Sequence, residues 1–185
     1  MTLKELTKFG YLAGFLYGDG TCYHNPSVNR AYSVSIDQIA SNTHLLKHVK
    51  RYLENFSKVH EYQFKSPDGL KTRVLVYNKN LFVQFKKLRK EPIKFFNNLD
   101  IEEKFNFLSG LLDADGTITD RIVIYASNEN LLLSFRKFLD NYGVISYVYK
   151  FGSIFGLQIY RKQSIETLKE KLMSVKFRLK ILKEK

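Results

Sequence analysis

Two aspartates, Asp19 and Asp115, stand out as residues that could do chemistry, because each ends the same kind of apolar phrase. The phrases are Leu12-Ala13-Gly14-Phe15-Leu16-Tyr17-Gly18-Asp19-Gly20 and Leu108-Ser109-Gly110-Leu111-Leu112-Asp113-Ala114-Asp115-Gly116. Both read as the last turns of a helix, where unpaired carbonyls carry partial negative charge and a cation is preferred to a carboxylate. Gly14 and Gly18, like Gly110 and Ala114, stand four apart and put a stripe of tiny residues on one helix face, which lets two helix backbones approach closely. Helices packed through those stripes bring Asp19 and Asp115 together. Two carboxylates a few ångströms apart repel by about 4 kcal/mol at an effective dielectric near 20, unless a proton or a divalent cation relieves them. A metal site is the natural resolution.

The doubled phrase resembles the LAGLIDADG motif of homing endonucleases. Two copies 96 positions apart in 185 residues are similar to the single-chain, pseudo-dimeric members encoded within introns or inteins, the compact archaeal intron enzymes among them. The resemblance implies an α/β (α+β) fold of two pseudo-symmetric αββαββα repeats, residues 1–94 and 95–185, forming a saddle of antiparallel sheets with the motif helices at the interface. It also implies that Asp19 and Asp115 bind Mg²⁺, with Mn²⁺ able to substitute, each beside one scissile phosphate over the minor groove, helped by the backbone carbonyls of Gly18 and Ala114. Asp113 falls outside that ligand set, since its counterpart is Tyr17. A basic residue near the end of each half often completes such sites, and by position Lys94 and Lys180 are the nearest. The chain departs from the family where many members carry Gln, often followed by Lys, at the end of the second strand. Positions 40 and 126 are both Ala here, followed by Ser41 and Ser127, so a water-positioning role is not carried over; Gln38 is nearby, but alternation places it on the core side.

Composition agrees with a polyanionic partner. The chain has a formal net charge of +12 and a sequence pI near 9.6, and nucleic acid is the commonest partner for such a balance. No apolar run approaches the roughly 18 residues of a membrane span, so no membrane partner is expected. Residues 1–97 hold 16 of the 30 Lys and Arg but 7 of the 18 Asp and Glu, so the first half is the more basic. Unequal halves in one chain predict a monomer, with no protein partner, on a non-palindromic duplex. The single cysteine, Cys22, excludes an internal disulfide and fits a reducing compartment. Met1 to Glu5 carry no signal-peptide pattern, so the expected location is intracellular: cytoplasm or nucleoid in a prokaryote, the matrix in an organelle.

The elements that must position the aspartates follow from local pattern. Thr2-Leu3-Lys4-Glu5 and Asp100-Ile101-Glu102-Glu103 each place a capping residue three before a Glu, predicting helix starts. Gly20 and Gly116 are predicted to close the motif helices in left-handed turns. Alternation predicts strands through Tyr32, Val34 and Ile36, and through Ile122 to Tyr125 after a tight turn near Asp120-Arg121. Ala40-Ser41-Asn42 and Ala126-Ser127-Asn128 then cap scaffold helices over 43–56 and 129–142. A second hairpin follows in each half, 59–65 with 71–77 and 144–151 with 155–161. The linker falls at Glu91-Pro92 and 95–100, and a final helix runs from Gln163.

Two such sheets would offer antiparallel ribbons to a DNA major groove. The polar positions expected to face it are Tyr23, Asn25, Ser33, Ser35, Asp37, Gln63, Lys65, Lys71 and Arg73 in the first half. In the second they are Thr119, Arg121, Tyr147, Tyr149, Gln158 and Tyr160. Arg73 and Arg121 lead, because a guanidinium can bridge guanine or clamp phosphate. The expected activity is a staggered double-strand cut that promotes intron or intein homing. Its rivals are an intron RNA maturase and a non-cleaving DNA binder on the same fold. Retention of both aspartates argues against the binder, which would gain affinity by losing carboxylates that face phosphate.

Overall fold

The computed structural model describes residues 5–27, 32–39 and 42–176. After a 3-10 turn at Leu6–Lys8, the first half runs α1 (Gly10–Asp19), β1 (Gly20–His24), β2 (Tyr32–Ile39), α2 (Thr43–Leu53), β3 (Val59–Ser66), β4 (Gly69–Tyr77) and α3 (Lys79–Lys90). A short α4 (Pro92–Asn97) leads to the second half: α5 (Ile101–Asp115), β5 (Gly116–Ile118), β6 (Ile122–Ala126), α6 (Glu129–Asp140), β7 (Tyr147–Phe151), β8 (Ile154–Ile159) and α7 (Lys162–Lys171). Each half builds one antiparallel sheet of the same order, β1-β2-β4-β3 and β5-β6-β8-β7. The registers repeat as well, since Gly20 opposes Ile36 and Gly116 opposes Ile124.

The motif helices pack backbone to backbone. A Cβ built on Gly14 would fall onto the carbonyl oxygen of Phe107 and within 2.9 Å of the Leu111 nitrogen; one on Gly110 would fall onto the carbonyl of Tyr11 and within 2.8 Å of the Phe15 nitrogen. Tyr11 stands to Phe107, and Phe15 to Leu111, as Gly14 stands to Gly110, so a local twofold relates the contact. Gly18 meets Ala114, whose Cβ lies 2.7 Å from the position a Gly18 Cβ would take. All four residues of the small stripe thus lie at the helix pair. Neither helix has a free polar face here: Gly10 to Leu16 are all buried, as are Phe107 to Asp113.

Three local expectations change. Gly20 and Gly116 end their helices in extended conformation, φ −73° and −110°, not in left-handed turns. They are glycine because a Cβ would collide with the preceding turn, whose Cα atoms at Leu16 and Leu112 lie 2.8 Å away. Thr2 lies outside the described residues, and α1 begins only at Gly10, after the 3-10 turn. The second start is half as expected: the Asp100 carboxylate accepts from the Glu103 N–H at 2.8 Å. Glu103 does not reach back, however; its Oε2 accepts from the Gly10 N–H at 2.5 Å and so caps the other motif helix. An anion at that helix N-terminus is favourable.

Gly14→Leu should therefore cost about 3 kcal/mol or more, the upper end for overpacking a filled contact, lowering Tm by on the order of 6–12 °C. A thermal melt that left Gly14→Leu as stable as the parent would contradict the backbone contact.

Candidate active site between the motif helices

Asp19 is the last residue of α1 and Asp115 the last of α5, and neither helix has a basic residue in its final turn. Asp19 is half-buried, Asp115 more open. Burial, and then the charge of Asp115, push the Asp19 carboxyl up to about 6, against the opposing effects of Lys176 and a hydrogen bond from Gln38. Asp115 is pushed up by burial, with Lys176 acting the other way. Asp115 thus lies close enough for its charge to act on Asp19, as two packed helix ends require.

The cations missing from the helix ends arrive from elsewhere in the chain. Lys176 Nζ donates to the carbonyls of Leu112, Ala114 and Gly116 at 3.4, 3.5 and 3.1 Å, at the C-terminus of α5. Arg89, in the last turn of α3, donates through Nη2 to the carbonyl of Gly20, the counterpart of Gly116. Each helix end therefore has one basic side chain on its terminal carbonyls. Lys176 is held in place by Asp113, which is fully buried and accepts from Tyr11 Oη (2.8 Å), Ser174 Oγ (2.6 Å) and the N–H groups of Val175 (2.7 Å) and Lys176 (3.0 Å). Asp113 is thus an anchor for residues 174–176 and faces away from any ligand role.

These cations are not the ones expected. Lys94 is largely exposed and pairs with Glu91 at 3.4 Å, lining a groove with Glu5, Thr7 and Asn98 and not the cleft beside Asp115. Lys180 lies outside the described residues, as do Ala40 and Ser41. Arg89 had a legible signal: it follows the buried Phe82 and Phe85 at helical spacing and lies over the Phe85 ring. Lys176 had none, since only the fold brings residues 174–176 back to Asp113.

Gln38 also enters the site. It sits on the core side of β2, as alternation requires, and that is where Asp19 reaches: Gln38 Nε2 donates to Asp19 Oδ2, and Asn42 Nδ2 donates to Gln38 Oε1 at 3.1 Å. Counting along the matched registers from Ile36 and Ile124, the counterpart of Gln38 is Ala126, so position 40 was not the equivalent of position 126. The two half-sites therefore differ. Asp19 has an amide on it, whereas Asp115 opens into a cleft of about 540 Å³ lined by Tyr17, Gly18, Arg89, Tyr125, Ala126 and Ser127.

The sheet residues sort by register. Tyr23, Ser33, Ser35, Asp37, Lys71 and Arg73 share one face of the first sheet, because Tyr23 opposes Ser33 and Asp37 opposes Arg73. Gln63 and Lys65 do not join them: they oppose Thr72 and Leu70, on the other face. The strand starts in a different phase from the one assumed, and Tyr62 and Phe64 take the places beside Arg73 and Lys71. Asn25 lies in the loop after β1, where its side chain accepts from the Ser27 N–H at 3.0 Å. In the second sheet Tyr147, Tyr149 and Gln158 share a face, Tyr160 follows β8 and stacks on Tyr147, and Thr119 and Arg121 lie in the β5–β6 turn. No helix among the described residues is long and apolar enough to cross a membrane.

Because the folded protein holds a proton on Asp19 up to about pH 6 while the unfolded chain releases it near its ordinary value of 3.8, stability falls as pH rises through that window. In divalent-free buffer Asp19→Asn should be more stable than the parent at pH 7.5, by up to about 2 kcal/mol after allowing for partial exposure, with the gap closing below pH 4. Chemical denaturation at both pH values measures it.

Comparison with known proteins finds the same fold among solved structures. Residues 102–173 match the model of the LAGLIDADG-like domain. Among solved structures, the homing endonuclease I-DmoI in complex with DNA and Mn is 23% identical with a TM-score of 0.67, covering 91% of this chain and 97% of that one. The homing endonuclease I-WcaI bound to its DNA recognition sequence is 13% identical, TM-score 0.66, covering 93% and 82%. Full-length DUF199/WhiA from Thermatoga maritima is 14% identical, TM-score 0.62, covering 100% of this chain and 62% of that one. No protein of curated function matches the sequence. Residues 102–173 resemble a LAGLIDADG-like domain, and the chain over nearly its whole length is similar in fold to the homing endonuclease I-DmoI.

Proposed function

We propose that this protein is a site-specific, divalent-metal-dependent DNA endonuclease that makes a staggered double-strand cut in a long, non-palindromic target and so promotes the homing of an intron or intein. The observation that carries the reading is the placement of Asp19 and Asp115 at the ends of two helices in direct contact, flanked by two sheets of matching order. I-DmoI structures with target DNA and Mn or Mg support it as analogy.

The donor set fits Mg²⁺, which binds through one or two carboxylates and keeps water and phosphate as its other ligands. Among the described residues no group of three or more His, Cys, Asp and Glu side chains could hold a metal ion, so a soft or fully protein-caged ion is the poorer fit. Mn²⁺ takes similar oxygen ligands. Asp19 and Asp115 would each hold a cation, with the carbonyl of Gly18 beside the first; the carbonyl of Ala114 already accepts from Lys176. Such an ion lowers the pKa of its bound water and offsets charge on the departing 3′ oxygen. Gln38 fixes the Asp19 carboxylate, and Lys176 and Arg89, on the carbonyls at the two helix ends, would add positive charge for a phosphate bound there. The exposed strand faces would bind the duplex on either side, as a monomer.

Asp19→Asn and Asp115→Asn should each abolish double-strand cleavage in Mg²⁺ while leaving binding in Ca²⁺ intact or tighter, since each change removes a ligand and a charge that faces phosphate. Paired cleavage and gel-shift assays test this, and full cleavage by either variant would refute the metal assignment. Sedimentation with and without the duplex should give one chain per DNA; an obligate dimer on DNA would contradict the single-chain reading.

A further inference from the structure

On the exposed face of the first sheet one side chain is held unlike any other. Arg73, on the inner strand β4, directly opposes Asp37 on the inner strand β2. Its Nε and Nη2 donate to the two carboxylate oxygens of Asp37, both at 2.6 Å. Nη1 donates to Tyr62 Oη at 3.2 Å. The Phe64 and Tyr62 rings lie 4.9 and 5.9 Å from the guanidinium carbon. The side chain nevertheless keeps 33% of its surface accessible.

A guanidinium has five N–H donors. Three are engaged, which leaves one hydrogen on Nη1 and one on Nη2. Two such donors match in number the O6 and N7 acceptors on the major-groove edge of guanine. A phosphate contact is the poorer match, because Asp37 has already neutralised the charge and would itself repel the phosphate. Arg121 offers the contrast: it lies in an exposed turn, and its Nε and Nη2 donate to its sequence neighbour Asp120 at the longer distances of 3.2 and 3.3 Å.

We propose that Arg73, locked by Asp37 and flanked by Tyr62 and Phe64, is a specificity-determining residue that reads one guanine in the half-site under the first sheet, with Asp37 as its positioning residue. The inference rests on the proposed binding of duplex DNA. It adds which base class is read and by what.

The test is selection from a randomised duplex library in Ca²⁺ by the parent, Arg73→Ala, Arg73→Lys and Asp37→Asn, followed by affinities on the selected site and its single-base variants across a salt series. The parent should select a site with a guanine whose replacement weakens binding about 10- to 100-fold. Arg73→Lys, which keeps the charge opposite Asp37, should lose discrimination at that position alone and keep the salt slope; Arg73→Ala should lose the same discrimination and also bind more weakly overall, because Asp37 is left unpaired. Asp37→Asn should keep the same guanine with weaker discrimination. Thermal melts check folding, and Arg73→Lys, which keeps the charge but loses the fork, decides the matter if Arg73→Ala is unfolded. Uniform weakening on every sequence with the salt slope reduced by about one would mark a phosphate contact and overturn the proposal. Unchanged discrimination in the Arg73 variants would overturn it too, and unchanged discrimination in Asp37→Asn would overturn the positioning role. A parent that binds DNA but selects no sequence would refute site-specific recognition itself, whereas a parent that selects a site without that guanine would refute only the role of Arg73.

Discussion

Direct backbone contact between α1 and α5 is the constraint from which the rest of the molecule follows. Gly14 against Phe107 and Gly110 against Tyr11 let the helices come closer than any side chain allows. That closeness fixes their ends relative to each other, because a helix is rigid along its short length. β1 and β5 begin at the residue after each aspartate, so the same contact sets where both sheets start. The site and the two sheet faces are thus positioned by one interface, which is why a change of a single Cβ there reaches the chemistry.

The charge at those ends is managed from a distance. A carboxylate at a helix C-terminus is unfavourable, and two such ends side by side are worse. The chain keeps both aspartates and sets Lys176 and Arg89 on the terminal carbonyls instead of neutralising the carboxylates directly. Asp113 shows how far the support extends: three hydrogen bonds tie residues 174–176 to it, and a fourth ties it to Tyr11 of the other motif helix. The half-sites are related but not equal, since Gln38 faces Ala126 across the pseudo-twofold.

Local repetition made much of this legible. The two phrases, their small-residue spacing and the alternation of Tyr32 to Ile36 are short-range patterns, and they point to the helix pair, the paired aspartates and the succession of elements. Non-local placement was not legible. Lys176 reaches the site only because Asp113 holds its backbone, and no spacing from Asp115 reveals that. Gln63 and Lys65 were assigned to the wrong face because alternation within one edge strand gives a period but not a phase; the phase comes from pairing with β4. Position 40 was matched to position 126 because the Ala-Ser-Asn phrases coincide, while the strand registers place Gln38 there. Gly20 and Gly116 looked like left-handed caps, and they are glycine for want of space.

Helix packing brings the charge of Asp115 to bear on Asp19, which carboxyl-carbon NMR titration of the metal-free protein would measure. Asp19 should titrate well above its ordinary value, near 6, and its midpoint should fall when Asp115 is replaced by Asn, because part of the shift comes from that charge. A midpoint near 4 in the parent, or one unmoved by Asp115→Asn, would contradict the account.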